Sequence, residues 1–160
     1  MLKFLSKRKE EQKMNFKDCI EFANANPICF FATADGNQPR VRPLGMWFAD
    51  DKGFVYQTET VKAIYKQLKD NHRVEICFQG KEGTPSAGKV MRVAGQVKFL
   101  DDLSLKKKVL EERPFLKSYG FDKPEDPRLV VFSVHKGEAY FWTMADNMKE
   151  SEIKRLKFGQ

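Results

Sequence analysis

The sequence predicts an α+β protein built on a small antiparallel split β-barrel of about six to seven strands. We expect a Greek-key-like strand order with helices at the periphery. Short apolar or alternating segments, separated by turn residues, recur along the chain and are typical of strands joined by hairpins. Other stretches show apolar residues at helical spacing. Closing such a set of strands into a barrel removes exposed sheet edges.

Length and composition favour one folded domain. The chain has 160 residues, of which 41% are hydrophobic, so a sizeable core is expected. We divide it into a basic flexible arm, residues 1–13, and a single domain, residues 14–160. The formal net charge is 29 − 22 = +7. The arm carries 5 − 2 = +3 and the domain the remaining +4, and its basic run at residues 106–108 is followed by Glu111 and Glu112 rather than extended into the basic stripe of a nucleic-acid binder.

Several functional classes are disfavoured by what the sequence lacks. No apolar run reaches the roughly 18 residues of a membrane helix, and no secretory leader is recognisable, so we expect a cytoplasmic protein. Three widely spaced cysteines without a CxxC pair argue against a disulfide framework or a zinc site. With only two histidines, His72 and His135, we expect no metal centre.

The first half of the chain is expected to begin with a helix and continue as strands. Asn15 is a suitable N-cap for a helix over residues 16–25. The Asn26-Pro27 pair ends it, because the residue before a proline avoids the helical conformation. Turn residues then divide the strands predicted over residues 28–34, 40–49 and 53–58.

The second half mixes both periodicities. Apolar residues at helical spacing predict a helix over residues 61–70. In the long strand expected over residues 90–100, Gly95 suggests a bulge. The remaining expectations are a strand over 73–79, a helix over 103–112, a hairpin of strands 129–134 and 138–143, and a short terminal helix over 149–156.

Two arginines on one strand form the first candidate site. Side chains alternate along a strand, so Arg40 and Arg42 share one face. Pro43 cannot donate a ladder hydrogen bond, which places it at an edge or a bulge. Such a pair can hold an anion, since each guanidinium presents a fork of donors to phosphate oxygens. Alternatively, the two charges only protect an exposed sheet edge.

The transition from strand to helix at residues 57–62 is the second candidate. Thr58 or Thr60 can cap the helix, whose N-terminal N–H groups attract anions. A lysine in the first turn, Lys62, is unfavourable there unless an anion is bound; alternatively, it is an ordinary surface lysine. If the arginine strand and the strand before Lys62 are hairpin neighbours, both clusters can reach one phosphate.

A run of three consecutive aromatic residues, residues 140–142, is the third feature. Adjacent strand residues point to opposite faces, so the three rings cannot all enter one core. One face therefore meets a partner subunit or a planar ligand through a residue such as Trp142, or the strand is simply packed on both sides.

The order and spacing of these segments resemble the FMN-binding split-barrel family typified by pyridoxamine 5′-phosphate oxidase. The resemblance covers about residues 16–143. Its individual motifs are short and degenerate. They are residues 37–44, 54–58, Lys62-Ala63, Leu68 with Asn71, 93–97 and Phe141-Trp142.

The resemblance implies a homodimer with FMN at the subunit interface. By position, Arg42 and Lys62 match the family's phosphate contacts, and Arg40 is a weaker candidate. Pro43 and Leu44 match the backbone beside the isoalloxazine ring. Gln57 and Thr58, with the adjoining Val61, match the strand end near the ribityl chain and the phosphate. Trp142 matches an aromatic residue that reaches the flavin from the other subunit.

One departure narrows the expected activity. Pyridoxamine 5′-phosphate oxidases proper carry an Arg-x-His element after the late tryptophan, whereas residues 143–147 contain neither Arg nor His. We therefore expect an FMN-dependent oxidoreductase that acts on a substrate other than pyridoxine or pyridoxamine phosphate, with NADH or NADPH as a candidate reductant. The alternatives are a non-catalytic flavin-binding or electron-carrier protein, a basic nucleic-acid-binding barrel, and a deazaflavin or haem in the same cleft.

Overall fold

The computed structural model describes residues 14–160, so the predicted basic arm lies outside the described residues. Three α-helices are present: α1 (Phe16–Ala25), α2 (Ala63–Asp70) and α3 (Leu103–Glu112). The eight strands are β1 (Ile28–Asp35), β2 (Gln38–Gly45), β3 (Phe48–Asp50), β4 (Gly53–Glu59), β5 (Arg73–Gln79), β6 (Val90–Leu100), β7 (Leu129–Trp142) and β8 (Leu156–Phe158). Within residues 14–160, no helix has the length and apolarity needed to cross a membrane.

All paired strands are antiparallel, in the order β2-β1-β5-β6-β7-β4-β3, with β8 added to β7. The two ends of this path, β2 and β3, share no hydrogen-bonded ladder. The sheet therefore curves around a core without closing, as in a split barrel. This architecture confirms the predicted α+β split-barrel fold.

Two hydrophobic cores result from the alternation of side chains along the strands. The larger one fills the concave side of the sheet and includes Phe31, Tyr56 and Phe132, all fully buried. The smaller one lies on the opposite face of β4 and β7, beneath α3, and includes Val55 and Val131. Successive residues of β4 therefore face different surroundings, which decides where the polar residues at its end can point.

Helix α1 begins and ends where the sequence predicts. The Asn15 side chain accepts a hydrogen bond from the Asp18 N–H, and the Asp18 carboxylate accepts one from the Asn15 N–H. This reciprocal capping satisfies two N–H groups at the helix start. At the other end, the Asn26 side chain donates to the Phe22 carbonyl at 2.9 Å.

The prediction of a single strand over residues 40–49 is wrong, because this segment forms two separate strands, the end of β2 and all of β3. At the break, the Met46 N–H donates to the Pro27 carbonyl and the Trp47 N–H donates to the Val55 carbonyl, both at 2.8 Å. The chain thereby changes partner from the β1 side of the sheet to β4. As a result, β2 and β4 are not the hairpin neighbours that the sequence suggested.

The prediction of a hairpin formed by residues 129–134 and 138–143 is also wrong. Residues 129–142 form one continuous strand, β7, because β6 pairs with it from Val131 to Trp142, on both sides of the predicted turn. A register shift at Gln96/Val97 takes up the irregularity, next to the predicted bulge at Gly95. A Cβ at Gly95 would lie 2.3 Å from Val134 Cγ1, so only glycine fits there.

The chain terminus differs from the predicted helix. Residues Glu150–Glu152 form a single 3₁₀ turn, and β8 then adds to the second half of β7. Phe158 is buried and stacks on Phe16, with ring centroids 4.7 Å apart. Burial of this ring in the main core outweighs the helical tendency of the preceding residues.

Candidate functional site

Arg42 is held in a fixed position by neutral partners. Its guanidinium donates to Thr33 Oγ1 at 2.8 Å, to Gln67 Oε1 at 2.7 Å and to the Phe31 carbonyl at 3.3 Å. Burial and the charge of Arg40 lower the pKa of Arg42. Among residues 14–160, no carboxylate forms an ion pair with Arg42, so its positive charge stays available for an anion.

Arg40 has a different environment from Arg42. Its guanidinium donates from Nε and from a terminal nitrogen to the Asp35 carboxylate, both at 3.3 Å, and both side chains are about half exposed. This pair links the two strands next to the β1–β2 turn. Asp35 therefore balances the charge of Arg40, whereas no carboxylate of residues 14–160 pairs with Arg42.

Lys62 stands at the beginning of α2. It occupies the N-cap position with an extended backbone, and no side chain caps the helix. Thr58 and Thr60 therefore do not cap it, contrary to the prediction, and α2 begins at Ala63. The Lys62 ammonium forms an ion pair with the Glu59 carboxylate. Because Glu59 balances the charge of the lysine, the uncapped N–H groups are the main attraction for an anion at this end of α2.

The two basic groups are connected through α2 rather than through a hairpin. Gln67 lies on α2, five residues after Lys62, which corresponds to about 7.5 Å along the helix axis. Its side-chain oxygen accepts from Arg42 and from Thr33 Oγ1, the latter at 2.6 Å. Helix α2 therefore presents Lys62 at its start and holds Arg42 near its middle.

Thr58 contributes a buried hydroxyl without a partner. It is 1% exposed, and its Oγ1 has no hydrogen bond among the described residues. Alternation along β4 directs it to the same side as Tyr56, toward the barrel interior and away from Glu59. A buried hydroxyl without a partner is costly, so it indicates a group that the protein alone does not supply.

Pro43 and Leu44 lie on β2 beside β1. Pro43 is opposite Phe30 and exposed, whereas Leu44 is opposite Cys29 and packs partly against the main core. The Cys29 thiol donates to the Leu44 carbonyl at 3.2 Å, which fixes this part of the edge strand. Burial raises the pKa of Cys29 to about 11, so this thiol is protonated and acts as a donor.

Gln57 is buried and bonded to an arginine that the sequence did not single out. Its side-chain oxygen accepts from Arg113, whose guanidinium also donates to the carbonyls of Met46, at 2.6 Å, and Gly45. Burial lowers the pKa of Arg113. Arg113 therefore bridges the ends of β2 and β4 across the opening of the barrel. Its position just before Pro114 signals only a helix end, because its partners are more than 50 residues away.

The other two predicted residues lie at the margins. Val61 is 79% exposed beside Lys62. Trp142 ends β7 opposite Val90, four strands from β2 in the sheet order, and is half-buried. Within one chain, the structure does not bring Trp142 into contact with Arg42 or Lys62. The expectation that it completes the site of another subunit stays a prediction.

Three of the candidate residues offer groups of the kind that bind the phosphate of a flavin nucleotide. Arg42 offers an uncompensated cation, the start of α2 offers N–H groups and a lysine, and Thr58 offers a buried hydroxyl. No three His, Cys, Asp or Glu side chains of residues 14–160 lie close enough together to bind a metal ion. The donor set therefore suits an oxyanion.

Comparison with known structures finds the same fold in several solved proteins. A NimC/NimA family protein from Clostridium acetobutylicum is 27% identical, with a TM-score of 0.71 over 89% of this chain and 92% of the other. General stress protein 26 from Bacillus anthracis is 18% identical, with a TM-score of 0.66 over 91% and 100%. An FAD-binding protein from Mesorhizobium loti is 20% identical, with a TM-score of 0.58 over 80% and 94%.

A search of curated protein sequences finds no significant match. The sequence profile of the pyridoxamine 5′-phosphate oxidase family, in contrast, matches residues 16–143, which includes α1 and every strand up to the end of β7. This range also contains all the residues assigned to the site above. The chain therefore belongs to the pyridoxamine 5′-phosphate oxidase family.

Proposed function

We propose that this protein binds a flavin through its FMN portion and is a flavin-dependent oxidoreductase. The observation that carries the proposal is the half-buried Arg42 guanidinium, held by neutral oxygens and connected through Gln67 to the helix that begins at Lys62. Two cations arranged in this way, without a carboxylate on Arg42, favour a phosphate. The family and its FAD-binding structural relative support a flavin as the carrier of that phosphate.

Each residue of the site has a definite role in this proposal. Arg42 and Lys62 bind the phosphate, and the Thr58 hydroxyl forms a hydrogen bond to the nucleotide that it lacks in the protein alone. The backbone of Pro43 and Leu44 lies beside the ring system, near the Gln57 amide that Arg113 fixes. A bound flavin supplies the redox chemistry, and the protein supplies binding, orientation and electrostatics.

The substrate differs from that of the oxidases proper. After Trp142 the chain turns at Thr143, whose N–H and hydroxyl both donate to the Asp146 carboxylate at 2.8 Å. The turn exposes Met144, which is 72% exposed, and contains no Arg or His. Because this turn offers no cation to the substrate phosphate of those oxidases, we propose a substrate other than pyridoxine or pyridoxamine phosphate. NADH and NADPH are the candidate reductants.

The functional unit in this proposal is a homodimer. The outer face of β1 and β2 exposes Ile28, Phe30 and Val41, which are 67%, 47% and 69% exposed. This apolar surface adjoins Pro43, opposite Phe30, and is therefore continuous with the flavin site. A second copy covering it through a two-fold axis would bury the apolar side chains and enclose the cofactor. Light scattering on the purified protein tests the dimer, and Phe30→Glu is expected to weaken it.

The visible absorption spectrum tests the cofactor directly. Protein mixed with FMN and passed through gel filtration is expected to retain flavin absorption in the protein fraction. NADH and NADPH oxidation by the loaded protein is then followed with added electron acceptors. A colourless protein that retains no flavin would contradict the proposal. A loaded protein that no reductant reduces would leave flavin binding intact but contradict the oxidoreductase.

A further inference from the structure

A cavity of about 380 Å³ lies beside the proposed phosphate site and shares Lys62 with it. It adjoins the start of α2, on the face of β4 opposite the Thr58 hydroxyl. Its lining residues come from the end of β4, the start of α2, the segment after α3 and the start of β7. They are Glu59, Val61, Lys62, Tyr119, Phe121 and Arg128.

The walls of this cavity are largely apolar and aromatic. Tyr119 is 67% exposed and Val61 is 79% exposed, whereas Phe121 is buried beneath them. Tyr119 ends the 3₁₀ helix Pro114–Tyr119, and the left-handed Gly120 then turns the chain so that Phe121 can enter the smaller core. An exposed aromatic ring at the mouth of a concave apolar site is well placed to stack against a planar ligand.

The charges around the cavity nearly cancel. Lys62 pairs with Glu59, and Arg128 donates to both oxygens of Asp126 at 3.0 and 2.6 Å. The cavity therefore does not resemble a second anion site, in contrast to the surroundings of Arg42. Its balance of aromatic walls and paired charges suits an uncharged aromatic group that carries hydrogen-bond donors.

Glu59 supplies the acceptor for such donors. Its side chain is 7% exposed, and Oε2 has no well-aligned hydrogen bond among the described residues, although the Lys62 ammonium is in ion-pair contact with it. A buried carboxylate oxygen is normally satisfied by several donors. A ligand hydroxyl or amine within the cavity would complete its coordination.

The size of the cavity limits what it can hold. Pockets for small organic ligands range from about 300 to 1,000 Å³, so this one is at the lower end. It can accommodate one nucleoside but not a complete flavin dinucleotide. Because Lys62 lines the cavity and also belongs to the proposed phosphate site, a ligand bound at that phosphate can continue directly into it.

We propose that this cavity is a nucleoside subsite that holds the adenosine half of FAD. The adenine ring stacks on Tyr119, and a ribose hydroxyl or the adenine amine donates to Glu59. The subsite rests on the proposed function, because it begins where the flavin phosphate is bound by Lys62. The protein thus binds FAD more tightly than FMN, and the difference arises at Tyr119.

The test compares FAD with FMN, which lacks the adenosine half. The affinities of FMN and FAD are measured by quenching of flavin fluorescence for the unmodified protein and for Tyr119→Ala, Tyr119→Phe and Phe115→Ala. Phe115 is the control for altered packing of Tyr119, since its ring contacts Tyr119 edge to face, with centroids 6.3 Å apart, but does not line the cavity. Loss of one base–aromatic stack lowers affinity by roughly five- to one-hundredfold.

The expected result is a preference for FAD of at least about tenfold, which corresponds to about 1.4 kcal/mol. Tyr119→Ala removes the preference by weakening FAD alone, whereas Tyr119→Phe and Phe115→Ala retain it. Equal affinities for the two flavins, or equal weakening of both by Tyr119→Ala, would overturn the subsite but leave the flavin site standing. If neither flavin binds, the proposed function and the subsite both fail.

Discussion

The Arg42 guanidinium lies 2.7 Å from the side-chain oxygen of Gln67 and thereby fixes β2 against α2. Strand β2 is at one end of the sheet order and β4, which leads into α2, is next to the other end. The contact therefore brings the arginine of one edge strand to the helix whose first residues attract anions. It is the structural basis of the proposed phosphate site.

Arg42→Ala is expected to lower FMN affinity by about ten- to one-hundredfold. The substitution removes a charge-assisted hydrogen bond to the phosphate, which contributes about 1.5–3 kcal/mol. Arg40→Ala is the control, because Arg40 is exposed and already paired with Asp35. Titration of each variant with FMN measures the effect. An equal loss in both variants would show that only the overall charge of β2 matters.

Lys62→Ala is expected to weaken FMN by a similar factor and to make binding less dependent on salt. The ammonium stands at the uncapped start of α2, where its contribution to phosphate binding adds to that of the helix N–H groups. Lys66→Ala is the matched control, since Lys66 is on the same helix, highly exposed and paired with Asp70. Titrations of both variants with FMN at low and at high salt measure the affinity and its salt dependence. Unchanged affinity in Lys62→Ala would place the phosphate elsewhere.

Thr58→Val is expected to stabilise the flavin-free protein while weakening flavin binding. Valine has nearly the shape of threonine and removes a buried hydroxyl that has no partner, so the free energy of unfolding rises by about 1 kcal/mol. FMN affinity falls by about tenfold, because the hydrogen bond proposed for this hydroxyl is lost. Urea denaturation without flavin and flavin titration measure the two effects.

Thr33→Val is the control for Thr58→Val, with the opposite expected effect on stability. The Thr33 hydroxyl donates to Gln67 and accepts from Arg42, so valine leaves both partners incompletely bonded. The free energy of unfolding is expected to fall by about 1–3 kcal/mol. If both valine variants destabilise the protein to the same extent, the Thr58 hydroxyl already has a partner, and the argument for a bound group there fails.

Local sequence signals predicted the fold well where they coincided with tertiary packing. The cap at Asn15 and the turn after β1 define their elements within a few neighbouring residues, and the structure retains both. The turn predicted from the local sequence at residues 135–137 does not form, because β6 supplies long-range pairing partners for β7 on both sides of that segment. Sequence spacing carries no information about such a distant partner.

The candidate site likewise contains some residues that local sequence patterns predict and others that only long-range contacts show. The rule of alternation along a strand identified Arg42, and the rule for helix starts identified Lys62, because each depends on neighbouring residues only. Gln67 and Arg113 were missed, although they hold Arg42 and Gln57 in place. Each bonds to elements far apart in the sequence, so only the folded chain shows that Gln67 and Arg113 hold candidate site residues in place.

The cysteines are expected to react with iodoacetamide in an order that follows their burial. Burial raises the pKa of Cys19 to about 12 and that of Cys29 to about 11, from an ordinary value of 9.0. Their reactive thiolate is therefore scarce at pH 8. Cys77 is only partly buried, so it is alkylated first, although burial also raises its pKa. Mass spectrometry of peptides from protein labelled with and without urea gives the order.

The same thiols make the stability of the protein depend on alkaline pH. A thiol whose pKa is higher in the folded state favours folding only while it is protonated in both states. The contribution of Cys29 is therefore complete below about pH 9, the ordinary value, and is lost as the pH rises toward about 11. Urea denaturation at pH 8 and pH 10 is expected to show a lower free energy of unfolding at pH 10. Alkylation of Cys29 in the folded protein before Cys77 at pH 8 would contradict the burial on which both expectations depend.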